Sequence, residues 1–119
     1  WAHNYANNIF WCLCPNANQY IEGRQPDYSI FKDERCTIGT DSLASNWSLS
    51  ILDELKTITT KDPSIPLTTL VKWATYNGAQ FLGFKKLGSI EKEKTPGLNL
   101  IENIVSEKLN ANSTIKKII

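Results

Sequence analysis

Asp41 is the residue in this chain best placed to do chemistry. It follows a short apolar run, Cys36 to Thr40, within Gly39-Thr40-Asp41-Ser42. In parallel α/β folds, reactive groups collect where strands end and loops begin. A carboxylate there can bind a metal, or accept a proton from a water that a metal polarises. The same carboxylate could also do no more than cap the next turn. A second strand end carries Cys14-Pro15-Asn16-Ala17-Asn18. Asn16 and Asn18 either shape that turn or reach a substrate at the mouth of a pocket.

The other reactive side chains read as structural. Three cysteines, Cys12, Cys14 and Cys36, are an odd number without secretory context, which argues against a disulfide framework. On a strand, Cys12 and Cys14 would share one face, at the edge of bridging distance. They form no Cys-x-x-Cys and lack a second ligand pair, so they do not make a zinc site alone. His3 is the one histidine and reads as a plain helix residue. Sequons at Asn46 and Asn112 would matter only in a secreted protein, and they read as chance matches because no signal for secretion is expected. Trp11, Trp47 and Trp73 sit in apolar segments and read as core. Glu91-Lys92-Glu93-Lys94 reads as a solvated loop.

Elements to position these residues follow from spacing. Ala2, Tyr5, Ala6 and Ile9 suggest the end of a helix over residues 1–8. Ile9 to Cys14 is a continuous apolar run of the kind a buried parallel strand shows, and Pro15 ends it. Asn16 to Gln25 is polar and loop-like, and Pro26 then opens a short helix, 27–34, with Ile30 and Phe31 inward. Cys36 to Thr40 is the second strand, completing a βαβ unit with parallel strands. Asn46 or Ser48 can cap a helix over 48–61, with Leu49, Leu52, Leu55 and Ile58 as its apolar stripe. Past Pro63 and Pro66, residues 67–82 keep helical spacing. Residues 84–97 are rich in Lys, Glu, Gly and Pro, and strands are expected over 98–104 and 114–119. This suggests two parts, an α/β part over 1–83 and a mostly strand part over 84–119.

Composition limits the partners. Of 119 residues, 41% are hydrophobic and 21% charged, with a net charge of +1, which suits a soluble globular protein and argues against nucleic-acid or acidic-membrane binding. The longest apolar run is far too short to cross a bilayer. The cytoplasm is the expected location. The chain starts at Trp1 and has no Met, so it reads as a piece of a longer protein.

Taken in order, CPNAN, GTDSLASN, LDELK, WATYNGAQFLGF and LGSIEKEKTPGLNLI resemble the C-terminal third of the amidohydrolase superfamily. The resemblance is greatest to the branch of cytosine and guanine deaminases, adenosylhomocysteine-type deaminases and triazine chlorohydrolases. It covers nearly the whole chain. It implies a (β/α)₈ barrel with an appended β-sandwich, of which this chain holds the last two β/α units and some sandwich strands. It implies one divalent metal, zinc or iron, with Asp41 as ligand and proton acceptor. Asn16, Asn18 and Ser42 are then expected at the substrate. The family's His-x-His and its two further metal-binding histidines have no counterpart here. Near the end, Glu93 stands for an expected Gly, and Leu98-Asn99 for an expected Ala-Asp.

A full barrel needs about 250 residues, so these two strands cannot close one or hold a metal alone. The expectation is therefore a part of a hydrolase that cleaves a C–N or C–Cl bond on a small nitrogen heterocycle. Its expected partners are the substrate, the N-terminal remainder of its own chain and a second copy. The other reading is a non-catalytic relative that serves as a folding or interaction module. A plain α/β domain without a site is the third.

Overall fold

A computed structural model describes residues 9–32 and 34–119. The helix expected over residues 1–8, with His3, lies outside them. Strand β1, Trp11–Leu13, pairs in parallel with β2, Cys36–Ile38. Trp11 stands opposite Cys36, and Leu13 opposite Ile38. Backbone hydrogen bonds from Trp11 to the Arg35 carbonyl and from Gly39 to the Leu13 carbonyl, both 2.9 Å, extend the pair at either end. The chain is mixed helix and strand, as read, with both strands shorter than their apolar runs.

The segment after β1 differs from expectation. Asn16 to Gln25 is not a loop, because helix α1 occupies Pro15–Glu22. Proline at the first helical position has its φ already set and needs no N–H partner. Gly23 ends the helix with φ 66°, its N–H closing on the Gln19 carbonyl at 3.1 Å. No local side chain caps the start. The Asn16 N–H instead donates to Glu54 Oε2 at 2.7 Å, 38 residues along the chain. A polar composition argues for a loop only while no distant acceptor completes the first turn.

The next helix also shrinks. A single 3-10 turn covers Tyr28–Phe31, started by Asp27, whose Oδ1 accepts from the Ser29 N–H at 3.0 Å. Tyr28 is the buried residue here and Ile30 is exposed, reversing part of the expected inner face. The Tyr28 hydroxyl donates to Gln25 Oε1, which relieves the cost of burying it.

Helix α2, Ile51–Lys61, is capped by Ser50 rather than Asn46 or Ser48. The Ser50 hydroxyl accepts the Asp53 N–H at 3.2 Å. Leu52, Leu55 and Ile58 are buried, whereas Leu49 precedes the helix and is exposed. Helix α3, Leu67–Lys72, passes through a π turn, Trp73–Asn77, into α4, Gly78–Phe81. The wide turn brings Leu70, Trp73 and Asn77 inward while Phe81 and Leu82 stay exposed. Asn77 Nδ2 donates to the Cys36 carbonyl at 2.8 Å, satisfying a backbone acceptor of β2. Leu13, Leu55, Ile58, Leu70 and Trp73 form the centre of the core. Burying each such side chain stabilises the fold by about 1.5–3 kcal/mol before entropy is counted. Trp47 is not core, being 61% exposed and edge-on to Tyr20 with ring centroids 5.4 Å apart.

Beyond α4, strand β3, Asn99–Glu102, pairs antiparallel with β4, Thr114–Lys117. Among the described residues this second sheet has two strands. Leu109, between them, enters the same core as Leu13 and Trp73, and Ile101 packs against it. No helix among the described residues is long and apolar enough to cross a membrane.

Candidate active site at two strand ends

Asp41 lies in the loop that leaves β2 and is exposed. Its φ is 57°, a left-handed conformation that Asp tolerates better than most side chains. Its Oδ1 accepts the Ser42 N–H at 2.7 Å. That contact is the local turn-shaping role weighed for this residue. The other carboxylate oxygen takes no hydrogen bond among the described residues.

The peptide group before Asp41 is anchored at its carbonyl. The Thr40 carbonyl accepts from Asn46 Nδ2 at 2.7 Å. Burial, with Cys12 nearby, pushes the Cys14 thiol up to about 11. Both sulfurs crowd Gly39, where an added Cβ would stand 3.0 Å from Cys12 Sγ and 3.1 Å from Cys14 Sγ. Glycine there reflects close approach between the two strand ends and not merely a strand stop.

Beneath this loop sits Glu54, fully buried on α2. Its Oε1 accepts from Asn46 Nδ2 at 2.6 Å and its Oε2 accepts from the Asn16 N–H at 2.7 Å. Burial pushes the Glu54 carboxyl above its usual value, while the two donors pull it back. Glu54, Asn46 and Cys14 were not legible as site residues. The available signal was a carboxylate four residues before Ile58, on the inner edge of the α2 stripe.

The four sequence-predicted site residues are not brought together. Asp41 and Ser42 adjoin, but the Ser42 hydroxyl faces Ser45 Oγ at 3.3 Å. Asn16 is buried and faces α2, its Oδ1 accepting from Thr57 Oγ1 at 2.5 Å, so its side chain does not open to a pocket mouth. Asn18 is half-buried and lines a shallow groove with Glu22, Arg24, Gln25 and Pro26. Asp41 does not line that groove. The carboxylate of that groove, Glu22, is paired with Arg24 at 3.2 Å on the exposed surface, so the strand ends remain the better candidate.

No group of three or more His, Cys, Asp or Glu among the described residues could hold a metal. A catalytic zinc usually takes about three protein ligands. Asp41 can serve as one oxygen ligand, since the residue is exposed and its second carboxylate oxygen has no hydrogen-bond partner among the described residues.

The profile of the amidohydrolase family matches residues 1–119. An adenosine deaminase of Helicobacter pylori is 34% identical over 99 residues, which cover 78% of this chain and 24% of that protein. The chain thus spans about a quarter of that relative's length. No solved structure matches. Since the family profile runs from the first residue to the last, the chain belongs to the amidohydrolase family.

Proposed function

We propose that this chain supplies the last two β/α units of a (β/α)₈ barrel, and strands of an appended β-sandwich, in a hydrolase of C–N bonds on a small nitrogen heterocycle. The observation that carries the reading is Asp41. It stands just past β2 with one carboxylate oxygen held by Ser42 and the other without a hydrogen bond among the described residues. In this reading the second carboxylate oxygen would bind a divalent metal, zinc or iron, and the carboxylate would accept the proton of the attacking water. The metal would acidify that water and stabilise developing negative charge. Its other ligands would come from the remainder of a longer chain. Ser42 orients the Asp41 carboxylate through its N–H. Asn18 and the Ser42 hydroxyl remain candidate substrate contacts, and Asn16 acts through packing.

Ammonia, rather than chloride, is the proposed leaving group, because the named relative is a deaminase. Three free thiols suit a reducing, cytoplasmic setting. Exposed apolar side chains such as Leu100, Ile115 and Ile119 suit association with a second copy.

The test uses the full-length protein. Adenosine and a panel of amino-purines and amino-pyrimidines are assayed for ammonia release, with zinc and iron measured in the same sample. Bound metal with ammonia release that Asp41→Asn abolishes is the expected result. Wild-type turnover by that variant would overturn the assignment. Turnover of none of the panel, with no bound metal, would favour a non-catalytic module.

A further inference from the structure

We infer that Glu54 is a positioning residue for Asp41, holding the Thr40–Asp41 peptide in place through Asn46. The inference rests on the Asp41 reading above and extends it to a residue that touches neither substrate nor metal.

Glu54 is fully buried, and no cation pairs with it among the described residues. An unpaired buried carboxylate is expensive, so hydrogen bonds must compensate it. Each oxygen accepts one N–H, from Asn46 Nδ2 at 2.6 Å and from the Asn16 backbone at 2.7 Å. The geometry uses what a carboxylate alone provides, two acceptors set side by side. A glutamine there would turn its NH₂ toward one of two donors and lose that bond.

The route from Glu54 through Asn46 ends at the peptide group before Asp41. Asn46 Nδ2 also donates to the Thr40 carbonyl at 2.7 Å, and its Oδ1 takes the Ser48 N–H at 3.2 Å. Through the Asn16 N–H the same carboxylate ties α2 to the chain just past β1. The carbonyl of Thr40 and the N–H of Asp41 belong to the same planar unit. Holding that plane at its carbonyl restrains the direction from which Asp41 departs, at its φ of 57°. Rotation of the plane would swing the carboxylate away from a metal placed for it. Displacement of a reacting group by about 1 Å can cost about 10²-fold in rate.

The experiment uses the full-length protein with Glu54→Gln, Asn46→Ala, Asp41→Asn and the double variant Glu54→Gln/Asp41→Asn. Two readouts are taken: zinc retained after dialysis against a chelator, and kcat and KM for adenosine. Glu54→Gln should weaken zinc retention or kcat by about 10- to 100-fold, the range seen when a partner supporting a metal ligand is removed. KM should change much less. In the Asp41→Asn background the same substitution should add almost nothing, because its effect runs through Asp41. Asn46→Ala, which leaves the carboxylate and its Asn16 bond in place, should reproduce the loss and serves if Glu54→Gln does not fold. Wild-type zinc retention and kcat in either folded variant would overturn the inference, as would losses that add in the double variant. If Asp41→Asn itself behaves as wild type, or the wild-type protein holds no zinc, the Asp41 reading falls and takes this inference with it. If Asp41→Asn is inactive while Glu54→Gln is normal, only the positioning role falls.

Discussion

The chain leaves β1 and β2 at the same end of one parallel pair, and the two exits differ. After β1 it turns at once into α1, and Asn16 faces inward onto Thr57. After β2 it stays outside regular structure until the short turn Leu43–Ser45, and Asp41 is exposed. Both exits are tied to α2 by the same carboxylate. On the β1 side Glu54 takes a backbone N–H directly and so completes the first turn of a helix. On the β2 side it works through the Asn46 side chain, beyond Asp41 in sequence, and the intervening residues remain open. One exit becomes scaffold and the other a place where a reactive group can meet solvent or substrate.

The strongest way to break this comparison is to remove the chemistry of the open exit alone. Asp41→Asn keeps size and still offers the Ser42 N–H an oxygen, but the amide accepts no proton. Loss of general-base catalysis is worth about 10²- to 10⁴-fold in kcat. That loss is expected in the full-length protein with melting temperature nearly unchanged and KM altered much less. A melting temperature that falls while kcat holds would make Asp41 a turn-capping residue and the two exits alike.

A middle-sized effect should come from the point where the exits touch. Gly39→Ala places a methyl 3.0 Å and 3.1 Å from two sulfurs, so the strand ends must part. Overpacking of this kind costs about 1–3 kcal/mol. Denaturant unfolding should show it, and Gly39→Ala with Cys12→Ala should recover part of it. An unchanged midpoint for Gly39→Ala would mean the two ends are looser than described.

At the closed exit, Asn16→Ala removes the acceptor for Thr57 but keeps the backbone bond to Glu54. Thr57 Oγ1 still reaches the Asp53 carbonyl at 3.1 Å, so the loss should be about 1 kcal/mol, the net worth of one hydrogen bond. kcat should hold. A large kcat loss without a stability change would return Asn16 to the substrate.

The smallest effect is in the thiols. Burial raises Cys14 to about 11 and Cys36 to about 12, from 9.0. The folded state holds these protons more tightly than the unfolded chain does. Their contribution to stability is therefore complete below pH 9.0 and is lost as pH rises toward 11 and 12. Iodoacetamide at pH 8 should label exposed Cys12 first, Cys14 slowly and buried Cys36 only on unfolding. Equal labelling of all three in the folded protein would mean the β1–β2 pair opens readily.

Local pattern carried the reading where chemistry and structure are close in sequence. The apolar runs around Trp11–Leu13 and Cys36–Ile38, Pro15 and Pro66 as breaks, the buried stripe of α2 and the hairpin near the C-terminus follow from hydrophobic period and turn residues. The motif order resembled the amidohydrolase family, to which the chain belongs. The place of Asp41 just past β2 was also legible as a strand end. What failed was local too. Ser50 and not Asn46 capped α2, because Asn46 was already committed to Thr40 and Glu54.

By itself the sequence determined which segments are apolar, where they stop and which short motifs stand at the stops, since these depend on neighbours along the chain. Tertiary structure alone decided that Asn16 to Glu22 is helix, that Asn16 turns inward and that Gly39 must lack a side chain. It also decided that Glu54, a charged residue in an ordinary helix, lies buried beneath both strand ends. Each of these depends on an atom brought from far along the chain: Glu54 to the Asn16 N–H, two sulfurs to Gly39, Asn77 to the Cys36 carbonyl. A buried N–H or carboxylate must find its partner wherever the packed chain supplies one, and that position is not written in the residues beside it.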